Sequence, residues 1–361
     1  MKAVDLFCGA GGFTLAAKRL GIRVLAAVDS DPHACATYRL NFIEHKKIRP
    51  KLYDKDILSL DPQTMLEDLG LKAGDIDIVM GGPPCQGFST HRFKDTGVDD
   101  RRNELLRRYF DFIEALKPKT FIVENVSGLL WQRHEKHLND FYNLARTAGY
   151  EVHEPKILNA RNFGVPQNRK RVFILGKRPD VDADFAWPPE VTHFDPKSDE
   201  VKEKGKPHWQ SAAVVFNTRL DEDDPNNRHM NHSVELVEVF KSTPKNGGSR
   251  SQSKRQLPCH KKHDGHKDVY GRIDPKKPGP TVTTGCVNPS RGRFLHPTEN
   301  HGITVRHAAR FQTFPDIFIF SGGLMSTAAQ VGNAVPINLG TVVLDALRRG
   351  LTRAEKESPN E

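Results

Sequence analysis

The first 180 residues alternate short apolar runs with segments whose apolar residues recur at helical spacing. The apolar runs predict strands at 3–7, 24–28, 76–80, 120–123 and 172–175. Helical spacing and plausible caps predict helices at 12–20, 32–41, 103–116 and 138–149. This alternation predicts an α/β fold with a parallel, doubly wound sheet, and the carboxyl edge of that sheet should carry the loops of interest.

Regular periodicity is largely lost after Lys177, where proline, glycine and charged runs dominate. Helical spacing returns at 336–349, so the chain could rejoin the first domain there. We therefore predict a first domain of residues 1–178 plus 325–361 and a smaller, loop-rich domain of residues 179–324.

Composition narrows the class of protein. The 361 residues are 37% hydrophobic, enough for a sizeable core, and no apolar run has the roughly 18 residues of a membrane helix. The amino terminus does not resemble a signal peptide. We expect a cytoplasmic protein that does not bind a membrane, with its five scattered cysteines reduced.

Positive charge is concentrated in one part of the chain. The formal net charge is +9, and residues 241–300 hold thirteen Lys or Arg against four Asp or Glu. Such a stretch is typical of a surface that faces a polyanion, although a solvated basic loop is an equally good interpretation of the charge alone.

One cysteine lies in a loop of restricted conformation. Cys85 follows Gly81-Gly82-Pro83-Pro84, directly after the predicted strand 76–80. Glycine permits a tight turn and proline fixes φ, so the thiol would be held with little freedom, as a nucleophile requires. The alternative is a turn with an incidental buried cysteine.

A second loop has the features of a nucleotide site. The turn Gly9-Ala10-Gly11-Gly12 follows a predicted strand and precedes a predicted helix, and Asp29 ends the next strand, where it could accept hydrogen bonds from ribose hydroxyls. A dinucleotide-dependent dehydrogenase is the rival, but the third glycine of its motif is missing. Asp56 could accept from an adenine amino group or could cap a turn.

Six motifs occur in the order found in one family. They are Asp5-Leu6-Phe7-Cys8-Gly9-Ala10-Gly11-Gly12, Gly82-Pro83-Pro84-Cys85-Gln86, Glu124-Asn125-Val126, Gln167-Asn168-Arg169-Lys170-Arg171, residues 310–316 (RFQTFPD) and residues 330–336 (QVGNAVP). With them the chain closely resembles the DNA cytosine-5 methyltransferases of the prokaryotic restriction-modification type. The resemblance implies a Rossmann-like, S-adenosylmethionine-dependent methyltransferase domain with a smaller target-recognition domain.

The resemblance also implies the catalytic residues. The Cys85 thiolate would attack carbon 6 of cytosine, so that carbon 5 can take a methyl group from S-adenosyl-L-methionine. Glu124 would hold or share a proton at N3, and Asn125 would brace the Cys85 loop. Arg169 and Arg171 would bind the cytosine carbonyl oxygen and steady the loop, although a surface strand edge is the alternative for these arginines.

For the methyl donor, the resemblance implies ten positions. They are Phe7, Gly9, Gly11, Asp29, Ser30, Asp56, Ile57, Pro83, Leu105 and Asn333. Phe7 and Ile57 would contact the adenine. Two positions depart from the usual family pattern, because Asp29 stands where glutamate is more common and Ser30 where a bulkier residue is. Weaker cofactor binding is the expected consequence.

The implied substrate is double-stranded DNA with the target cytosine flipped out of the helix. Residues 89–97 would close over the base, and the basic span 245–293 would contact phosphates and bases. Cys259, His263 and His266 have metal-ligand chemistry, but a second ligand cluster is missing, so we expect no metal.

Two alternatives differ in substrate or class. A transfer RNA cytosine methyltransferase shares this catalytic core, but the Cys-Phe-Thr tripeptide typical of that branch is absent. A DNA-binding regulator on an inactive scaffold would not need the full set of catalytic residues. With no regulatory extension before the first motif, we expect a stand-alone modification enzyme, a monomer on DNA, whose cognate restriction endonuclease would act separately.

Overall fold

The computed structural model describes residues 1–44, 49–83, 101–253 and 268–357. The chain divides into two compact units. The first comprises Met1–Asn159, Lys170–Glu190 and Gly340–Glu361, and the second comprises Ala160–Arg169 and Val191–Leu339. This division does not test which residues bind cofactor or DNA, so the functional domains predicted above stay a prediction.

A single sheet organises the first unit. Its strands, in chain order, are β1 (Lys2–Leu6), β2 (Arg23–Asp29), β3 (Lys51–Asp54), β4 (Ile78–Gly81), β5 (Thr120–Val126), β6 (Glu151–Val152), β7 (Lys156–Asn159) and β8 (Lys170–Lys177). Among the described residues they are arranged β3-β2-β1-β4-β5-β8-β6, with β7 also paired to β8. The strands from β3 to β5 are parallel. Strand order reverses between β1 and β4, which is where ligands bind in open α/β sheets.

The predicted α/β fold is confirmed, with one correction to the sheet. β8 runs antiparallel to β5, β6 and β7, whereas the alternation of elements predicted parallel strands throughout. The chain between β5 and β8 holds the extra strands β6 and β7, and alternation of apolar runs carries no information on strand direction. The strands β3, β6 and β7 are short, with two to four residues each, and were not predicted as strands.

Helices cover the sheet of the first unit. They are α1 (Gly12–Arg19), α2 (Pro32–Tyr38), α3 (Pro62–Leu69), α4 (Arg101–Leu116) and α5 (Glu135–Thr147). Aromatic side chains dominate the core between α4, α5 and β5, where Phe110 and Phe141 pack edge-on at 5.0 Å between ring centroids and Phe121 lies beside both. Buried aromatic area of this kind stabilises the sheet–helix interface.

The second unit has short helices and long irregular connections. The helices are α6 (Asp199–Lys202), α7 (Ala213–Phe216), α8 (Val234–Ser242), α9 (Val305–Phe311) and α10 (Leu324–Asn333), and the last helix of the chain, α11 (Ile337–Glu357), begins in this unit. Irregular backbone leaves carbonyl groups without ladder partners. Arg272, which is fully buried, donates to the carbonyl oxygens of Thr243, Phe240 and His296, so one guanidinium group joins the end of α8 to the segment around His296.

Among the described residues, no helix combines the length and the apolar character that crossing a bilayer requires.

Candidate active site

The Gly-rich turn between β1 and α1 forms one side of the site. Gly9 and Gly11 have φ angles of 53° and 92°, in the left-handed region that favours glycine. A Cβ atom at Gly11 would lie 2.3 Å from Cε2 of Phe42, whereas at Gly9 no described heavy atom would lie within 4 Å of it. The turn is therefore packed shut at Gly11 and open at Gly9, where a ligand can approach the backbone.

Asp29, at the end of β2, lies beside this open position. Its Oδ2 accepts the backbone N–H of Gly9 at 2.7 Å, and its Oδ1 accepts that of Asp31 at 2.9 Å. Burial raises the pKa of Asp29, and the N–H groups of Asp31 and Gly9 act in the opposite direction. Ser30 follows and is exposed. Each carboxylate oxygen can accept a second hydrogen bond, for example from a hydroxyl group.

Asp56 lies at the start of a short 3-10 helix, Ile57–Ser59. Its Oδ1 accepts the backbone N–H of Leu58 at 3.0 Å, which is the capping contact that the sequence left open as an alternative. Arg108 of α4 donates from Nε to the carbonyl oxygen of Ile57 at 3.1 Å. Helix α4 thus fixes the position of this segment.

The other predicted cofactor positions are divided between the units. Phe7 and Leu105 are half-buried and pack against the core of the first unit, and Pro83 is buried. Phe7 has a φ of 58°, a conformation that residues with a side chain rarely adopt. Asn333, at the end of α10, is exposed and belongs to the second unit.

An ion pair stands at the carboxyl end of β5. Nε of Arg171 lies 2.9 Å from Oε1 of Glu124, and the two side chains are 15% and 11% exposed. The register of β5 and β8 brings them together, because Val126 pairs with Arg171. Burial lowers the pKa of Arg171, and the charge of Glu124 opposes that shift. A carboxylate and a guanidinium are thus held together in a partly dehydrated place.

The loop that leads to Cys85 begins beside this pair. A Cβ atom at Gly82 would lie 3.4 Å from Oε2 of Glu124, and Nδ2 of Asn125 donates to the carbonyl oxygen of Pro83 at 3.4 Å. These contacts hold the first residues of the loop against the end of β5. Cys85 itself and the predicted closing loop 89–97 lie outside the described residues.

Arg169 has a different environment from Arg171. It precedes β8 and is 1% exposed. Nη1 donates to the carbonyl oxygen of Val282 at 2.7 Å, and Nη2 donates to those of Gly332 and Ala334 at 2.9 and 3.2 Å. These contacts are all within the second unit. They give Arg169 a structural function, and its predicted contact with cytosine stays a prediction.

A buried acid next to the Gly-rich turn was not predicted as a site residue. Asp5 of β1 is 1% exposed, and its Oδ2 accepts the hydroxyl of Thr14 at 2.7 Å. Oγ1 of Thr14 lies 2.9 Å from the hydroxyl of Tyr38. Burial raises the pKa of Asp5 to about 7. The signal available in the sequence was an aspartate inside the apolar strand Ala3 to Phe7, a position that needs a specific partner.

The family model for C-5 cytosine-specific DNA methylases matches residues 1–349. The chain belongs to this family. It is therefore a DNA cytosine-5 methyltransferase, and the resemblance found in the sequence motifs is confirmed.

Curated relatives of this methyltransferase are type II methyltransferases. M1.HphI of Haemophilus parahaemolyticus is 32% identical over 345 residues, which cover 95% of this chain and 86% of the relative. M.XorII of Xanthomonas oryzae pv. oryzae is 31% identical over 384 residues, which cover 99% of this chain and 87% of the relative. The match extends over both units of the methyltransferase.

Solved structures share the fold over nearly the whole chain. A crystal structure assigned as a DNA modification methyltransferase encoded within an E. coli prophage has a TM-score of 0.69 and 25% identity, and the match covers 98% of this chain and 99% of that one. A crystal structure of a Spodoptera frugiperda DNMT2 mutant has a TM-score of 0.62, with 96% and 99% covered, and at 17% identity it shows the fold alone.

Within the described parts of the methyltransferase, no group of three or more His, Cys, Asp or Glu side chains has an arrangement that could hold a metal ion. Cys259, His263 and His266, which the sequence brought into consideration, lie outside those parts. The expectation of no metal stays a prediction.

Proposed function

We propose that this methyltransferase transfers the methyl group of S-adenosyl-L-methionine to carbon 5 of a cytosine flipped out of duplex DNA, within a specific sequence. The observation that supports it best is the Glu124–Arg171 pair beside Gly82. It lies at the carboxyl edge of β5, and the Gly-rich turn follows β1 at the same edge, with β4 between the two strands.

The residues around the Gly-rich turn fit the proposed methyl donor. Gly9 leaves space beside its backbone, and Asp29 next to it can accept from ribose hydroxyls. Phe7, which is half-buried, offers apolar surface for an adenine ring. Ile57 is 3% exposed, and its contact with the adenine stays a prediction. When bound, S-adenosylmethionine supplies an electrophilic methyl group on a sulfonium ion.

Glu124 and Arg171 activate the base. A carboxyl group at Glu124 can donate a proton toward N3 of cytosine and accept from its amino group, which makes carbon 6 more electrophilic. Arg171 stays charged and its planar donors suit the cytosine carbonyl oxygen. Because the two side chains are only 15% and 11% exposed, the charge of Arg171 is weakly screened and acts strongly on a bound base.

Cys85 is the proposed nucleophile. Its thiolate forms a bond to carbon 6, and the electron pair that this releases lets carbon 5 take the methyl group. Loss of the carbon 5 proton to water then returns electrons to the ring as the sulfur–carbon bond breaks. The proton shared at N3 returns to Glu124, and the thiolate is regenerated. Asn125 holds Pro83, the last described residue before Cys85, at the end of β5.

The second unit is proposed to recognise the DNA target. The Lys and Arg side chains of its basic span 245–293 would contact phosphates, and base-edge contacts would select the sequence. We infer that the enzyme acts as a monomer on cytoplasmic DNA and that a cognate restriction endonuclease acts separately on the same sequence.

The test compares the wild type with Cys85→Ser, using labelled S-adenosylmethionine with either duplex DNA or transfer RNA. We expect label in DNA for the wild type only, and unchanged cofactor binding by the variant in calorimetry. Label that appears only in RNA contradicts the proposed substrate. Undiminished methylation by the variant contradicts the proposed nucleophile.

A further inference from the structure

Most buried arginine side chains of the second unit have their donors occupied by protein acceptors. Arg306 donates to Asp224 and to the carbonyl oxygens of Pro315 and Phe318, and Arg169 and Arg272 donate to carbonyl oxygens as described above. Arg161 is half-buried and differs from all three. Within the described residues, no hydrogen bond or ion pair engages its guanidinium group, and its Nε is buried without a partner.

Arg161 is nevertheless held in place by an aromatic ring. Its Cζ lies 3.6 Å from the ring centroid of Trp209, well within the range of a cation–π contact. The indole is fixed in turn, because its Nε1 donates to Oδ1 of Asn162 at 2.9 Å. The backbone of Asn162 is fixed too, since its carbonyl oxygen accepts the N–H groups of Thr192 and His193.

The guanidinium group of Arg161 is thus restricted by its contact with Trp209 and has N–H donors that no described residue engages. Stacking occupies the face of the guanidinium plane, whereas its N–H groups point outward along the edges and remain able to bind an oxyanion. Its Nε is buried, whereas Nη1 and Nη2 are not among the buried unpartnered atoms, so these two nitrogens are the donors that an oxyanion could reach. Because the stack already restricts the side chain, less conformational entropy is lost on binding.

The place of Arg161 along the chain is also relevant. Asn159 ends β7 and pairs with Lys170 at the start of β8, next to Arg171. Arg161 follows Asn159 by two residues, so covalent geometry alone keeps their Cα atoms within about 8 Å. The unpaired cation thus follows directly, along the chain, the end of the strand that pairs with β8.

We propose that Arg161, held by Trp209, is a preformed contact for a phosphate group of the DNA substrate. The planar fork of the guanidinium suits two oxygens of one phosphate. The contact would strengthen DNA binding irrespective of base sequence and position the duplex. This proposal rests on the proposed action on duplex DNA.

The test measures DNA binding by Arg161→Gln, with Arg219→Gln as the matched control. Arg219 is in the same unit, its side chain is 87% exposed, and it pairs with Glu222 at 2.7 Å, so both variants remove one positive charge. Affinity for a duplex of random sequence is measured between about 50 and 200 mM salt. Arg161→Gln should bind roughly five- to tenfold more weakly and should reduce the salt slope by about one. The control should change neither appreciably.

Trp209→Leu tests the platform without changing charge. It should weaken DNA binding by a smaller factor than Arg161→Gln, and the double variant should bind no more weakly than Arg161→Gln alone, since the two residues act as a unit. Methylation of DNA by the wild type is the separate readout for the proposed function.

An unchanged salt slope for Arg161→Gln would overturn the proposal, and so would a lower melting temperature with unchanged DNA affinity, which indicates a packing function only. If the wild type methylates DNA normally in that experiment, the phosphate contact fails and the proposed function stands. If the wild type neither binds nor methylates duplex DNA, both fail.

Discussion

Arg171 and Glu124 lie 2.9 Å apart, from Nε to Oε1, on adjacent antiparallel strands. The distance reflects the register of β8 on β5, in which Arg171 stands opposite Val126, two residues beyond Glu124. A carboxylate at this place is thereby kept oriented toward the start of the Gly82-Pro83 segment. The sheet register thus pairs Glu124, the proposed catalytic acid, with the guanidinium group of Arg171.

Replacing Glu124 by glutamine should reduce methyl transfer by roughly 10²-fold or more, because the amide cannot donate a proton to N3. Cofactor affinity should change little, since the Gly-rich turn does not depend on this side chain. Single-turnover methylation and calorimetric titration with S-adenosylmethionine measure the two effects separately.

The control for Glu124→Gln is Glu154→Gln. Glu154 is exposed and pairs with Lys156 at 3.1 Å, so its loss should leave methyl transfer within about twofold. Equal activity of the two variants would show that Glu124 does not act in the chemical step.

Local sequence information put Glu124 and Arg171 next to predicted strands, and the structure brings their side chains to 2.9 Å, while their catalytic functions stay predictions. Both residues adjoin strongly apolar runs, and strands that meet at one edge bring their terminal side chains together. Strand direction was not accessible in the same way, and the antiparallel β8 came from the structure. Parallel and antiparallel strands can have the same pattern of apolar residues, so that pattern does not reveal strand direction.

Long-range contacts of buried polar groups were beyond prediction. Arg169 donates to Val282 and Gly332, at sequence separations of 113 and 163 residues. No local periodicity encodes such partners, because they depend on how irregular segments pack. Spacing alone made Arg169 equivalent to Arg171, and only the three-dimensional structure separates their surroundings.

Replacing Gly11 by alanine should distort the Gly-rich turn. Its φ is 92° and the new Cβ would lie 2.3 Å from the Phe42 ring. We expect at least about tenfold weaker binding of S-adenosylmethionine and a lower melting temperature, since relieving the overlap requires displacement of a packed ring at about 1–3 kcal/mol.

Gly21→Ala separates backbone strain from the clash at Gly11. Gly21 has a φ of 70° but no described heavy atom within 4 Å of the added Cβ. This variant should lose only about 1 kcal/mol of stability and keep its cofactor affinity. If both variants bind the cofactor equally well, the packing of Gly11 against Phe42 does not shape the site.

Arg272 should be essential for the stability of the second unit. It is fully buried, and Nε, Nη1 and Nη2 donate to the carbonyl oxygens of Thr243, His296 and Phe240 at 3.0, 2.9 and 2.7 Å. Arg272→Ala removes three hydrogen bonds to carbonyl oxygens and a large buried side chain, and should lower the free energy of unfolding by about 3 kcal/mol or more.

Calorimetric or urea unfolding measures the effect of Arg272→Ala, and Arg219→Ala is the exposed comparison. Arg272→Lys should rescue only part of the loss, because an ammonium group has three donors where the guanidinium has five. A melting temperature for Arg272→Ala equal to that of the exposed comparison would contradict this assignment.

Acid should destabilise the second unit through His307. This side chain takes the third position of a capping box on α9, where its Nδ1 accepts the backbone N–H of Thr304 at 3.3 Å, so the ring must be neutral. Burial, followed by the nearby His296 and Arg310, lowers the pKa of His307 to about 2. The unfolded chain therefore binds a proton that the folded chain excludes.

Because the unfolded chain binds this extra proton, acid lowers the stability of the folded protein. The contribution of His307 to stability is fully present above the unfolded pKa of about 6.5 and declines as pH falls from there toward 2. Between pH 7 and pH 5 the loss is roughly 2 kcal/mol from this group. Burial likewise lowers the pKa of His296, to about 4, so its contribution declines in the same direction.

Replacing His307 by glutamine should flatten this pH dependence, because glutamine fits the same capping position and does not titrate. The measurement is the melting temperature of wild type and variant from pH 7 to pH 5, with the exposed His33→Gln as control. The variant should lose less stability on acidification than either the wild type or the control. Parallel curves for all three proteins would mean that acid acts on other groups, since the control retains the buried histidine and the variant lacks it.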